Sequence, residues 1–341
     1  MLKGPLRTRR FWLQLALAGG FLGLLAWRVD IGDALATLPE ANWLWVLPGL
    51  LAFSLSKALH AVRWRVFLGG HRDVPLSGLV GIFFVHNMAN AVLLLRAGDL
   101  LRIQITSQRY KIPRSELTAT VIVVETLLDG LTFVLLLLVA ASLGAVPGAL
   151  QVPFWIMAGL ALFGLALGFV SARWVRPVWL MNAYPFRWLS HDVRDAASSI
   201  IEGFLEGMRT LREPGLAVPA IMLSIAGWLV EASSYMLFGQ AFGLDLGFAD
   251  YMLIMMVANF AVSIPITPSG IGPYEVAIQE LIVLLGAGRA LAGGFAIGIH
   301  ICFIIWITIV GLVSMWLMKL KPSEVFYLNQ TVDTEAQLEA P

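Results

Sequence analysis

The sequence predicts an all-α polytopic membrane protein, with about six full spans and two re-entrant or broken helical hairpins arranged as an inverted repeat. Three observations predict it. First, 59% of the 341 residues are hydrophobic and only 13% are charged, with a mean hydropathy of +0.81; a soluble domain carries about 25% charged residues. Second, long apolar runs recur at 11–28, 43–62, 117–141, 154–172, 216–242 and 290–318. Each is near the ~20 helical residues that cross a ~30 Å hydrocarbon core. Third, charge or helix breakers interrupt the apolar pattern once in each half, at Arg96-Ala97-Gly98-Asp99-Leu100-Leu101-Arg102 and at Thr267-Pro268-Ser269-Gly270-Ile271-Gly272-Pro273-Tyr274-Glu275. Irregular backbone persists at membrane depth only where protein or a wet cavity satisfies its polar groups. Paired breaks therefore point to a transport site.

Taken in order, Lys3, Arg7, Arg9 and Arg10 precede the first run. That run exceeds the ~7–15 residues of a signal-peptide core. A retained helix is preferred over a cleaved signal, although Ala34-Leu35-Ala36 has the spacing of a cleavage site. Basic segments stay cytoplasmic, which places the N-terminus inside. The 29–42 loop, with Asp30, Asp33, Glu40 and no Lys or Arg, falls outside, and 63–75, with Arg63, Arg65 and Arg72, falls inside.

The shorter run 77–95 is followed by another basic segment, 96–114, which carries Arg96, Arg102, Arg109, Lys111 and Arg114. Both its flanks are thus cytoplasmic, which fits a re-entrant hairpin. Loop 142–153 is uncharged and outside, and the Arg-rich segment 173–215 is inside. Within it, 190–211 reads as an amphipathic helix, with Val193, Ile200, Ile201, Phe204, Leu205 and Met208 as its apolar stripe. Either it links the two halves, or its arginines lie against anionic headgroups.

Loop 243–250 is acidic and outside. Runs 251–264 and 274–286 are about 20 Å long as helices, too short to cross unaided. They read as half-helices meeting at the Pro/Gly break and entering from outside. Lys319 and Lys321 then fall inside, with Arg289 as the exception. The whole is one membrane domain over 1–321, in halves of about 1–145 and 150–321. The polar tail 322–341 reads as disordered.

Several classes are excluded. A net charge of +1 gives no electrostatic ground for nucleic-acid binding, and the single Cys302 cannot form an intramolecular disulfide. Neither a GxxxxGK[ST] run nor HExxH spacing occurs, so no ATPase, zinc site, cofactor or enzymatic activity is expected.

The chemistry-bearing residues cluster around the breaks. Arg96 and Arg102 can bind a phosphate bidentately, with Asp99 holding one guanidinium and Gly98 allowing close backbone approach. The bland alternative is a basic flank with a local ion pair. Asn87 and Asn90 can satisfy the broken backbone or touch a polar headgroup. Glu125 and Asp129 share one helix face at i, i+4. Both stay ionised only with a cation between them, drawn from Arg96, Arg102, Lys57 or Arg63. They form either an interhelical clasp or a polar cavity wall able to couple protons. Gly270 and Gly272 leave amides at the N-terminus of the helix opened by Pro273, an anion site. Ser269 and Glu275 belong to the same break, with Glu275 complementing the dipole or binding a cation. Glu231 and His300 lie in mid-span, as relay members or as packed core groups.

These motifs together resemble the flippase-like membrane domain of lysylphosphatidylglycerol synthases and its stand-alone UPF0104 relatives, over roughly 10–320. The chain departs from that pattern at Asp99, where the family usually has Glu, and at Ser269, where a second Gly is frequent. The resemblance implies lipid movement between leaflets of a bacterial inner membrane, with both termini cytoplasmic. A homo-oligomer and a lipid-biosynthetic partner enzyme are compatible with it. The expected substrate is an anionic phospholipid, a glycolipid or a polyprenyl-phosphate lipid. A small-anion transporter and a lipid-modifying transferase are the alternatives.

Overall fold

A computed structural model describes residues 31–69, 71, 73–92, 98–174, 202, 206, 213–263 and 267–321. The expected span 11–28, most of the linker 173–215, the tail 322–341 and Arg96 lie outside the described residues. The described residues form helices joined by short turns, with no strand among them.

Short helix α1 (Ile31–Ala36) leads into α2 (Val46–Phe67) through two 3-10 turns. Then come α3 (Leu76–Val92), α4 (Gly98–Tyr110), α5 (Arg114–Ser142), α6 (Gly148–Trp174), α7 (Pro214–Phe242), α8 (Phe248–Ser263), α9 (Pro273–Leu284) and α10 (Arg289–Met318). Among the described residues, four helices are long and apolar enough to cross a membrane: α2 with its preceding turn, α5, α7 and α10. They coincide with the expected spans 43–62, 117–141, 216–242 and 290–318. The expected 154–172 lies within α6, 27 residues long.

Hydrophobic exposure shows what surrounds the bundle. Leu44, Leu47, Leu51 and Leu55 form an exposed stripe along the start of α2, and Ile301, Ile305, Ile309, Leu312 and Trp316 form another along α10. Spacing of three and four residues keeps each stripe on one face. Water does not tolerate continuous apolar faces of this length; hydrocarbon does. The opposite face of α2 turns Phe53, Lys57, His60 and Arg63 inward.

The centre of the fold is α2 packed on α7. A Cβ at Gly49 would lie 2.7 Å from the Phe238 ring, and one at Gly227 would lie 2.9 Å from the His60 ring. Small residues at such seams let helices approach where lipid offers no hydrophobic drive for association. The Ser234 hydroxyl donates to the Gly49 carbonyl at 2.8 Å across the same seam.

The first break is a helical hairpin. The Gly98 amide donates to the Asn90 side-chain carbonyl at 2.8 Å, and α4 packs back along α3. A Cβ on Gly98 would collide with the His86 carbonyl. The expected basic segment 96–114 thus begins with a packed arm of the hairpin: Leu101, Arg102, Ile103, Ile105 and Thr106 are buried. The second break joins α8 and α9, which also pack together. Across the halves, α3 packs on α10 and α8 packs on α5. Exchanging the first half for the second maps this pattern of contacts onto itself.

Candidate functional site

A cavity of about 460 Å³ opens between the two hairpins, walled by α2, α3, α5, α7, α8 and α10. Its polar wall grows from α2, whose Lys57, His60 and Arg63 recur every three residues on one broad face. Arg63 is 1% exposed. Such a charge stays buried only when partners match it. Its Nη2 donates to Glu125 Oε1 at 2.9 Å and to Asp129 Oδ2 at 3.1 Å, while Nη1 donates to Asp129 and, at 2.7 Å, to the Ser224 hydroxyl. Arg63 is therefore the cation between the two carboxylates. Arg63, expected in the basic flank 63–75 and among the candidate cations for these carboxylates, lies within α2, which runs on to Phe67.

Arg102 is also 1% exposed. It bonds Glu125 and lies over the Trp64 and Phe83 rings, 4.6 and 5.1 Å from their centroids. The expected phosphate ligand is thus paired with a carboxylate, because the α3–α4 hairpin folds it against α5. Asp99 lies 3.3 Å from His86, Oδ1 to Nδ1; Arg96, one of the guanidiniums it was expected to hold, lies outside the described residues. Asn87 donates to the Phe83 carbonyl at 2.7 Å.

Glu125 follows a stretch of π-helix, Ala119–Val124. Such a stretch adds a residue to the turn and re-aims the side chains beyond it, frequently at functional sites. Asp129, one turn on, accepts the Trp228 indole N–H at 2.8 Å. Glu231 accepts from Lys57 at 2.7 Å, from Ser56 at 3.0 Å and from Asn259 at 3.0 Å. Side chains of five helices, α2, α4, α5, α7 and α8, thus meet at two carboxylate centres, Glu125–Asp129 and Glu231.

The second break closes the far side. Ser269 and Gly270 have φ of 55° and 77°, and Gly272 has 97°. This chirality-defying turn is natural for glycine and strained for serine. The Gly272 amide donates to Glu275 Oε2 at 2.7 Å, and the Gly270 amide donates to the Thr267 carbonyl at 3.2 Å. This corrects the expectation of open amides there: the protein's own carboxylate occupies that N-terminus. Glu275 also meets His300 at 2.6 Å. The His300 ring stacks on Tyr274 at 3.8 Å, and the hydroxyls of Tyr274 and Tyr235 are 3.2 Å apart.

The structure therefore gathers Asn87, Asn90, Asp99, Glu125, Asp129, Glu231, Ser269 and His300 around one cavity. Sequence reading missed His60, Trp228, Tyr235, Asn259 and Tyr274, which line it as well. A signal was present for two of them. His60 stands between two intramembrane cations, and Ala258-Asn259 near the end of α8 echoes Ala89-Asn90 near the end of α3. Among the described residues, no cluster of three or more His, Cys, Asp or Glu is placed to hold a metal ion.

Glycosyltransferase AglD of Haloferax volcanii is 26% identical over 303 residues, covering 77% of this chain and 47% of that protein. A UPF0104 membrane protein of Methanothermobacter thermautotrophicus is 33% identical over 76 residues, 22% of this chain and 23% of that protein. The matches thus span half or less of these curated relatives. No solved structure matches the chain. Residues 11–311 match the family described as the lysylphosphatidylglycerol synthase TM region. With that match extending over nearly its whole length, the protein belongs to this family of membrane domains.

Proposed function

We propose that the protein moves the headgroup of a lipid between bilayer leaflets through the cavity between its two hairpins. The observation that carries this reading is the polar, charge-paired cavity buried in a bundle whose outer faces are apolar. Ionisable groups at membrane depth are expensive and mark substrate paths. The exchange symmetry of the helix contacts supports an inverted repeat, in which the α3–α4 and α8–α9 hairpins enter from opposite leaflets and alternate in opening the cavity. On this reading the protein sits in a bacterial inner membrane with both termini cytoplasmic, and the lipid reaches it from a biosynthetic enzyme.

The test is reconstitution. Liposomes containing the purified protein move a fluorescent lipid between leaflets faster than empty liposomes, and Glu231→Gln slows this. Equal rates with and without protein, across sugar, anionic and amino headgroups, refute the reading.

A second reading is a membrane-embedded transferase. It is favoured by the alignment of 77% of this chain with a protein named a glycosyltransferase. A mass change in a lipid incubated with the protein and membrane extract distinguishes it. A small soluble anion fits the cavity less well, because Lys57 and Arg63 already carry carboxylate partners.

A further inference from the structure

We propose that a lipid enters the cavity sideways, headgroup first, through a gap between α5 and the end of α8, and leaves its acyl chains in the bilayer. The inference rests on the translocase reading and names the surface where the substrate docks. The first observation is where the cavity reaches the outside. Among the described residues that line it, three are exposed: Thr126 on α5, and Phe260 and Ser263 on α8. All three border one seam. Helix α5 is 29 residues long, or about 44 Å, and Thr126 stands about 18 Å along it from Arg114. The opening is therefore at mid-depth, facing hydrocarbon rather than water at either end of the bundle.

The second observation is why this seam opens. Helix α8 has 16 residues, about 24 Å. It runs back beside α7, where Asn259 bonds Glu231 at 3.0 Å. It meets α5 through Phe133 and Phe260, edge to face with ring centroids 5.6 Å apart. Within one further turn α8 ends, at Ser263, whose hydroxyl donates to the Asn259 carbonyl at 2.7 Å. A short helix laid against a long one leaves a wedge of uncovered seam. Phe133, held edge to face on Trp228 at 4.7 Å, forms the apex of the wedge. The seam related to it by exchange of the halves, α3 on α10, has no such gap. A Cβ on Gly311 would collide with the Met88 side chain, and one on Gly81 would lie 2.6 Å from Met318 Sδ. Backbones pressed this close leave no passage for a lipid.

The third observation is the polarity of the rim, which fits an amphiphile. Ile122 and Phe260, 50% and 48% exposed, form an apolar lip. The Thr126 and Ser263 hydroxyls stand at the threshold. Glu125 and Asp129, paired with Arg63 and Arg102, lie beside Thr126 on α5 and line the cavity behind it. Over one or two helical turns the surroundings pass from hydrocarbon through hydroxyls to ion pairs. A lipid makes the same change between its acyl chains and its headgroup. A soluble ion would have to cross hydrocarbon to reach this opening, at high cost.

The test fills the gap from its exposed rim. Thr126→Trp does so from α5 and Ser263→Trp from α8, while Ile309→Trp is a control on the exposed stripe of α10. Two probe lipids, phosphatidylglycerol and a monoglucosyl diacylglycerol, carry a diazirine on the headgroup. The full-length protein is irradiated with each in liposomes, and labelled residues are mapped by mass spectrometry. At least one probe labels Trp228 or Glu231, which are buried behind the gap. Each gap variant lowers that labelling about five-fold or more, as overpacking an occupied gap would. Ile309→Trp leaves it within about two-fold. Thermal midpoints verify that the variants fold.

Labelling of these residues that neither gap variant lowers overturns the proposal, as does their failure to label with both probes. Movement of fluorescent lipids in the same liposomes separates the two levels. Labelling that the gap variants block, with no movement of any lipid, overturns the translocase reading and upholds the entrance. Movement that neither gap variant slows overturns the entrance and upholds translocation.

Discussion

Glu275 and His300 meet at 2.6 Å, Oε1 to Nδ1, and the other ring nitrogen of His300 stands 3.1 Å from the Ser269 carbonyl. The two contacts tie α10 to the turn before α9. The Glu275 carboxylate also accepts from Gly272, so a single side chain organises the break.

His300→Leu removes both bonds and leaves Glu275 buried, held by the Gly272 amide. The expected loss is roughly 2–3 kcal/mol, read as a lower thermal midpoint in detergent. His300→Gln, whose single NH2 group reaches one of the two acceptors, should fall between wild type and His300→Leu. Identical midpoints for wild type and His300→Leu would show that the break is held by packing alone.

The Lys57–Glu231 pair makes a sharper case, since its side chains are 10% and 2% exposed. Removing one partner strands a charge, whereas removing both does not. Lys57→Met and Glu231→Gln should each destabilise by about 3 kcal/mol, and the double variant by clearly less than their sum. Additive losses in a double-mutant cycle would contradict the coupling.

At the central seam, Gly49→Ala places a methyl 2.7 Å from two carbons of the Phe238 ring. The ring is buried and cannot swing clear. Overpacking of this kind costs about 1–3 kcal/mol, visible in the thermal midpoint. Gly159→Ala on α6 has nothing within 4 Å and serves as the neutral control.

The second break offers two opposite signs. Gly270→Ala meets both a φ of 77° and a Val262 Cα at 3.0 Å. It should destabilise by about 1–2 kcal/mol. Ser269→Gly relieves a φ of 55° and should stabilise by up to ~1 kcal/mol, less the added freedom of the unfolded chain. Denaturation midpoints of the two variants that move in the same direction would refute this account.

Much of the architecture was legible in the sequence, because a bilayer imposes a length and a polarity on each helix. The four long spans and the short helices on either side of 264–272 follow from apolar runs and helix breakers alone. So does the shared face of Glu125 and Asp129, which needs only helical periodicity. What the sequence could not decide was partnership. Arg63 and Arg102 read both as basic-flank arginines and as two of four candidate cations for Glu125 and Asp129, because nothing local distinguishes a buried guanidinium from a wet one. Their burial depends on carboxylates more than twenty residues away, brought over by α5. Likewise, the Gly270 and Gly272 amides looked open until the fold placed Thr267 and Glu275 against them. Periodicity and polarity are properties of neighbouring residues and determine where helices run. Which charges cancel, and which residues line a cavity, depend on contacts between distant segments, and only the tertiary structure brings those together.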